Sequence, residues 1–210
     1  MKNDRKVLLL AGAALIGAAT LACRACKGQG RVGNQSVPQP AKPVDVARYL
    51  GRWYEFARYE NQFEYGNDSV TAFYALRSDG LLTVVNRGRH RRNGSPSVAK
   101  GRAKIVPGSQ AAKLKVSFFG PFFVGDYWVL DHDDDYSWSI VGEPSGKYLW
   151  ILTRDAVPSV HLRESLIHRV AELGYDTSLL RKTRQTASTS TPVHGEASPV
   201  SGAPKPIAEP

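Results

Sequence analysis

Apolar and β-branched residues recur in short runs through the middle of the chain, at roughly the 8–12-residue spacing of an all-β barrel or sandwich. The runs are Arg52–Tyr59, Ser69–Leu76, Leu81–Arg87, Ser97–Val106, Ala112–Phe118, Asp126–Leu130, Tyr136–Val141 and Lys147–Thr153. Turn formers separate them: Ser78-Asp79-Gly80, Asn93-Gly94-Ser95-Pro96, Pro107-Gly108-Ser109, the acidic run Asp131–Asp135, and Glu143-Pro144-Ser145-Gly146. After the last run the period changes. Leu162, Leu166, Ile167, Val170 and Leu173 share one helical face, Pro158 suits a first-turn position, and Gly174 supplies the stop. The apolar stripe of that helix needs a surface to cover, and the outside of the sheet is the large one available. Eight sequential strands and one late helix predict an all-β fold, a closed eight-stranded up-and-down antiparallel barrel with one C-terminal α-helix packed outside. Closure removes exposed strand edges. An open sandwich is the alternative.

The two ends of the 210-residue chain carry no such pattern. Residues 1–22 place Lys2, Arg5 and Lys6 before an unbroken apolar and small run, Val7 to Ala22, too short for an ordinary membrane span and read as an export signal. A short membrane anchor is the other reading. Residues 23–44, rich in Gly, Gln, Asn, Pro and Ser, read as a flexible tether. Residues 184–210 are Ser, Thr, Pro and Ala with scarcely a large apolar side chain, too little burial to offset ordering entropy, and read as a disordered tail. One folded domain, residues 45–183, remains.

Both cysteines, Cys23 and Cys26, follow the apolar run, so the folded domain carries no disulfide and depends on its own core. Thr20-Leu21-Ala22-Cys23 resembles a bacterial lipobox, with Thr20 where Leu is usual, which implies acylation at Cys23. Arg24 follows, not the Asp that retains such lipoproteins in the inner membrane, so the resemblance implies a lipid-anchored outer-membrane address, periplasmic if the lipid is absent. The net charge of +9 invites a nucleic-acid reading, but export separates the domain from cytosolic nucleic acid, and the charge needs a local explanation.

Three motifs make the barrel specific. Tyr49-Leu50-Gly51-Arg52-Trp53-Tyr54-Glu55 opens the first strand, Gly125-Asp126-Tyr127 lies further on, and Trp150-Ile151-Leu152-Thr153-Arg154 ends the last strand. In order and spacing from about Asp45 to Thr183 they resemble the signatures of the lipocalin family, with Gly125 for the usual Thr. Leu114-Lys115-Val116-Ser117-Phe118-Phe119-Gly120-Pro121-Phe122 brings the likeness nearest to the bacterial outer-membrane lipoprotein lipocalins and apolipoprotein D. The resemblance implies structural roles for Gly51, Trp53, Asp126, Tyr127 and Arg154, with the Arg154 guanidinium stacked on Trp53, a contact worth roughly 0.5–2 kcal/mol.

If Trp53 plugs the closed end, alternation of hairpins puts the loops Glu60–Asp68, Gly88–Pro96, Phe119–Gly125 and Glu143–Gly146 at the mouth. Two of these differ sharply in chemistry. One is basic, with Arg87, Arg89, His90, Arg91 and Arg92; the other is Phe119-Gly120-Pro121-Phe122-Phe123. Separately they read as a solvated charge run and as rings packed across the rim. Together they suit an amphiphile, its acyl chain beside apolar residues and its anionic head near guanidinium groups. The apolar loop equally suits a homodimer contact.

Period-two alternation from Trp53 points Glu55, Ala57 and Tyr59 inward, and counting back from Arg154 does the same for Leu152 and Trp150. A buried Glu55 needs a hydrogen-bond partner or a proton. Candidate ligand contacts are therefore Glu55, Ala57, Tyr59, Tyr74, Phe118, Phe119, Phe122, Trp150, Arg89 and Arg91. Enzymatic chemistry leaves little trace: Ser145 is one place off the nucleophile-elbow spacing, and no cysteine lies in the folded part. His132 among Asp131, Asp133, Asp134 and Asp135 reads as a solvated turn rather than a calcium loop, which would need a glycine at its bend. His161 and His168 read as surface residues of the helix.

The expected function is a binding protein, not an enzyme, without cofactor or metal: a lipocalin storing or transporting fatty acids or lysophospholipids at the bacterial cell envelope. The alternative is an envelope-anchored adaptor whose barrel is filled by side chains and whose rim binds protein. The tether is expected to enter beside the closed end, leaving the mouth facing away from the anchoring membrane.

Overall fold

The computed structural model describes residues 31–118 and 120–185. The expected export signal, Cys23, most of the expected C-terminal tail and Phe119 lie outside the described residues. The elements are α1 (Val46–Tyr49), β1 (Gly51–Tyr59), β2 (Asn67–Leu76), β3 (Leu82–His90), β4 (Pro96–Ile105), β5 (Lys113–Ser117), β6 (Gly125–His132), β7 (Trp138–Gly142), β8 (Leu149–Thr153), α2 (Val160–Glu172), a 3₁₀ turn (Thr177–Leu179) and β9 (Leu180–Lys182). The eight expected runs are strands, with ends displaced by a few residues.

Each strand from β1 to β7 pairs antiparallel with the next, and β1 pairs with both β2 and β8, which closes the barrel. The register runs Gly51↔Tyr74 to Tyr54↔Thr71 on one side of β1 and Tyr54↔Thr153 to Arg58↔Trp150 on the other. Toward the mouth β1 and β2 part, and β9 lies against β1 there, Ala57↔Lys182 to Tyr59↔Leu180. The chain after β9 bridges the gap: Thr183 N donates to Phe56 O, Ser69 N to Arg184 O, and Gln185 Nε2 to both Glu55 O and Val70 O. A run as short as Leu180-Arg181-Lys182 carries no strand pattern of its own; it is extended because an open seam supplies its partners.

Helix α2 starts at Val160, two residues after the proline. Ser159 is the N-cap, accepting from Leu162 N, and Pro158 precedes it; Gly174, at φ +85°, ends the helix as its position predicts. Leu166 and Val170 are buried against Phe56, Ala57, Leu130, Ile140, Leu149 and Ile151, the outer face of the barrel. Each such side chain contributes about 1.5–3 kcal/mol on burial.

The segment expected to be a flexible tether is, from Gly33, a strap packed along the wall. Gly33 N donates to Gly146 O and Gly33 O accepts from Asp176 N, while Asn34 Nδ2 reaches Leu173 O at 2.9 Å. Lower down, Ala41 N donates to Leu130 O and Val44 N to Gln110 O. Composition misleads here because Gly33 is chosen for close approach: a Cβ on it would meet the Tyr59 ring at 2.2 Å. Gly146 lies in the β7–β8 turn at the mouth and Gln110 in the β4–β5 turn at the closed end. The strap therefore descends from mouth to floor, and its described start lies at the mouth rather than beside the closed end.

Candidate functional site

The floor is built first. Trp53 is fully buried, donates Nε1–H to Tyr49 O at 2.9 Å, and carries the Arg154 guanidinium 3.7 Å above its ring. Arg154 also donates to the carbonyls of Arg52 (2.7 Å), Arg48 (2.8 Å), Leu50 (2.9 Å) and Tyr136 (3.3 Å), so one side chain ties α1, β1 and the β6–β7 turn together. Gly51 lies at φ +92° directly before this lock, a backbone region that favours glycine. From the second signature, Tyr127 reaches into the barrel, whereas Asp126 forms a half-exposed ion pair with Lys115 at 2.7 Å away from the floor. The β6–β7 turn contributes to the floor through other residues: Tyr136 Oη accepts from Asp45 N, and His132 stacks on Tyr136 with ring centroids 4.5 Å apart.

Above Trp53, Tyr49 Oη lies 2.9 Å from Tyr127 Oη and 3.1 Å from Ser139 Oγ, and Tyr74 Oη donates to Tyr127 Oη at 2.9 Å. Burial pushes the Tyr49 hydroxyl up to about 12 and those of Tyr74 and Tyr127 well above their ordinary value, so all three stay neutral at physiological pH.

Next comes a buried ion pair. Arg58 Nη1 donates to Glu55 Oε1 at 2.5 Å and to Thr183 Oγ1 at 3.2 Å, and Thr183 Oγ1 donates to Glu55 Oε1. Arg58 Nη2 satisfies Glu60 Oε1, Glu64 O and Asn67 O. Both charged side chains are essentially inaccessible. Burial raises the Glu55 carboxyl to about 7, with repulsion from Glu64 adding to the shift and Arg58 and Thr183 opposing it. Glu55 Oε2, Asn67 Oδ1 and Asn86 Oδ1 are buried without a hydrogen-bond partner among the described residues.

Alternation along β1 fails just past Glu55. Glu55 faces Leu152 but Ala57 faces Ile151, so Phe56 is an extra residue in a bulge. Arg58, not Ala57, then points inward beside Trp150. Ala57 and Tyr59 are corrected to the outer face: both pack under α2, and Tyr59 Oη donates to Asp176 O at 2.9 Å. Of the other candidate contacts, Tyr74, Phe118 and Trp150 belong to the interior cluster. Phe118 lies over Gly101, where an added Cβ would come within 2.8 Å of its ring. Phe122, Arg89 and Arg91 are exposed at the rim, and Arg89 Nη1 donates to Gly94 O.

A file of rings leads from the rim inward. Phe63 contacts Tyr148 at 5.9 Å between centroids, Tyr148 stacks on Trp150 at 5.8 Å, and Trp150 Nε1 donates to Glu64 Oε2 at 2.9 Å. Phe63 has no period because it lies in a loop; Tyr148 continues the alternation of Leu152 and Trp150 by one more step; Arg58, Asn67 and Asn86 escape the pattern because bulges and register set their facing. A shallow depression of about 640 Å³ lies outside the barrel, lined by Lys42, Asp131, Trp138, His161, His168 and Arg169 among others. It opens broadly to solvent, has no link to the mouth, and its best-buried carboxylate, Asp131, is held by Arg169 at 2.7 Å. In the same acidic run Asp134 is held by Lys42 and Asp133 by Ser137, and no group of three or more His, Cys, Asp or Glu residues forms a metal-ligand set among the described residues.

The family described as the lipocalin-like domain matches residues 44–185. Outer membrane lipoprotein Blc of Vibrio cholerae is 41% identical over 152 residues, covering 70% of this chain and 88% of that protein. Apolipoprotein D of Macaca fascicularis is 34% identical over 156 residues, covering 71% and 78%. Among solved structures, insecticyanin from the tobacco hornworm Manduca sexta superposes with a TM-score of 0.61 at 20% identity, covering 76% of this chain and 90% of that one.

Proposed function

Because the chain belongs to the lipocalin-like family, we propose that it binds small hydrophobic ligands and that these are fatty acids or lysophospholipids, stored or carried at the bacterial cell envelope. In this reading Cys23 is acylated and tethers the domain to the outer membrane. The observation that carries the ligand class is the one-ended barrel. One end is locked by Trp53, Arg154 and the tyrosine floor; the other is entered along Phe63, Tyr148 and Trp150, with Arg89 and Arg91 standing exposed at the rim. An acyl chain matches the aromatic lining of this path in chemistry, and an anionic head matches guanidinium groups at its entrance. The Glu55–Arg58 pair is enclosed in the wall and inaccessible, so the exposed arginines at the rim are the head-group candidates. The chemistry is binding rather than catalysis.

A second reading, a rim-binding adaptor with a filled barrel, draws on the Phe118 ring over Gly101 and on Arg58 inside the wall. Organic extraction of the purified protein followed by mass spectrometry separates the two. Co-purifying acyl lipid supports the carrier; no lipid, with no change of tryptophan fluorescence on adding fatty acid, supports the adaptor. Within the carrier reading, Arg89→Ser, Arg91→Ser and Arg92→Ser together are expected to weaken an anionic fatty acid roughly tenfold, at about 0.5 kcal/mol per exposed charge contact. A neutral monoacylglycerol should change little. Equal losses for both would remove the arginines from the ligand's path.

A further inference from the structure

We propose that the open rim is itself a membrane-docking face, which seats the mouth of the barrel on an anionic lipid bilayer. Two hairpin loops at the mouth expose large apolar side chains: Phe63 (62% accessible) and Tyr65 (75%) from β1–β2, Phe122 (72%) and Val124 (80%) from β5–β6. Aromatic and aliphatic side chains in this setting are suited to the bilayer interface. The neighbouring β3–β4 loop exposes Arg87, Arg89, Arg91 and Arg92, and none of them forms an ion pair among the described residues. The opposite end differs in pairing: the exposed Asp134 and Asp135 of its β6–β7 turn are matched by Lys42 and Arg48, so that turn offers no cluster of unpaired cations to an anionic surface. Apolar side chains beside unpaired arginines match a surface of anionic headgroups over hydrocarbon. A second copy of this chain, carrying the same positive rim, would face like charge.

The strap points the same way. It is fixed at the mouth by Gly33 and Asn34, and Cys23 precedes Gly33 by ten residues (33 − 23). Ten residues span at most roughly 36 Å, whereas the nine-residue β1 alone is about 30 Å long. An anchor at Cys23 therefore holds the rim near the membrane, and pressing the closed end to it would consume almost the whole linker. This orientation rests on the anchoring reading above; the chemistry of the rim does not.

The test uses the full-length chain with Cys23→Ser and Cys26→Ser, carrying one new cysteine at Tyr65, Val124 or Asp135 labelled with a polarity-sensitive fluorophore. With vesicles of phosphatidylethanolamine and phosphatidylglycerol, the labels at 65 and 124 should shift to the blue and be quenched by nitroxide lipids, while that at 135 stays aqueous. Adding Arg89→Ser, Arg91→Ser and Arg92→Ser should reduce the shift, roughly fivefold in rim partitioning per arginine, and phosphatidylcholine vesicles should give little. Equal aqueous exposure of all labels, insertion at 135, or failure to associate would overturn the proposal. So would a rim shift already present without vesicles, which would identify the face as a contact between copies. Acylation at Cys23 is read separately, from the mass of the N-terminal peptide of the unaltered protein, so that failure of either idea is visible alone.

Discussion

Glu55 and Arg58 place opposite charges inside a barrel wall, an arrangement whose Coulomb attraction is largely offset by the loss of hydration. The offset is visible in Glu55, whose carboxyl rises from 4.5 to about 7 because burial outweighs Arg58 and Thr183. A folded-state value above the unfolded one means stability that is complete below about 4.5 and lost as the pH rises through about 7. The span of the shift corresponds to about 3 kcal/mol at most, little screened because the group is buried. Melting temperature is thus expected to fall across this window in the native protein. Glu55→Gln, which resembles the protonated acid and still accepts from Arg58, should flatten the profile. Parallel curves for the two proteins would show that Glu55 is not the group responsible. The exposed Asp79, Asp134 and Asp176 are held below their ordinary values by their hydrogen bonds and act in a lower window.

Among the elements, the strap is tested through Gly33. A methyl there would collide with the Tyr59 ring, so Gly33→Ala should cost about 1–3 kcal/mol in denaturant unfolding. It should also speed exchange of the Asp176 amide, which donates to Gly33 O. Unchanged exchange would mean that the strap holds without this contact. The strands, their order, the helix and the Trp53–Arg154 lock were legible in the sequence because each repeats with a period or carries a motif. The rest depended on events without a period. A single extra residue, Phe56, exchanges the faces of Ala57, Arg58 and Tyr59; β9 exists only because a seam between β1 and β2 needs a partner; and the strap looks like a linker because close approach and linker flexibility both call for glycine.

At the scale of the whole molecule, both cysteines precede the described domain, so closure and packing do the work that disulfides do in many exported domains of this size. The unfolding midpoint should be the same with and without a reductant; a drop on reduction would reveal a covalent contribution from Cys23 and Cys26. The partners of β1 are distant in sequence: β2 follows it closely, but β8 begins at Leu149 and β9 at Leu180, and the strap at Gly33 waits for Gly146 and Asp176. Such non-local pairing makes folding slow. The first strand therefore gains its second barrel neighbour only once β8 is made, and a chain stopped short of Leu180 leaves an open edge where β9 would lie. Covering of the β1 edge by β9 is thus a late event, and a chain that lacks this segment is the form most open to edge-to-edge association.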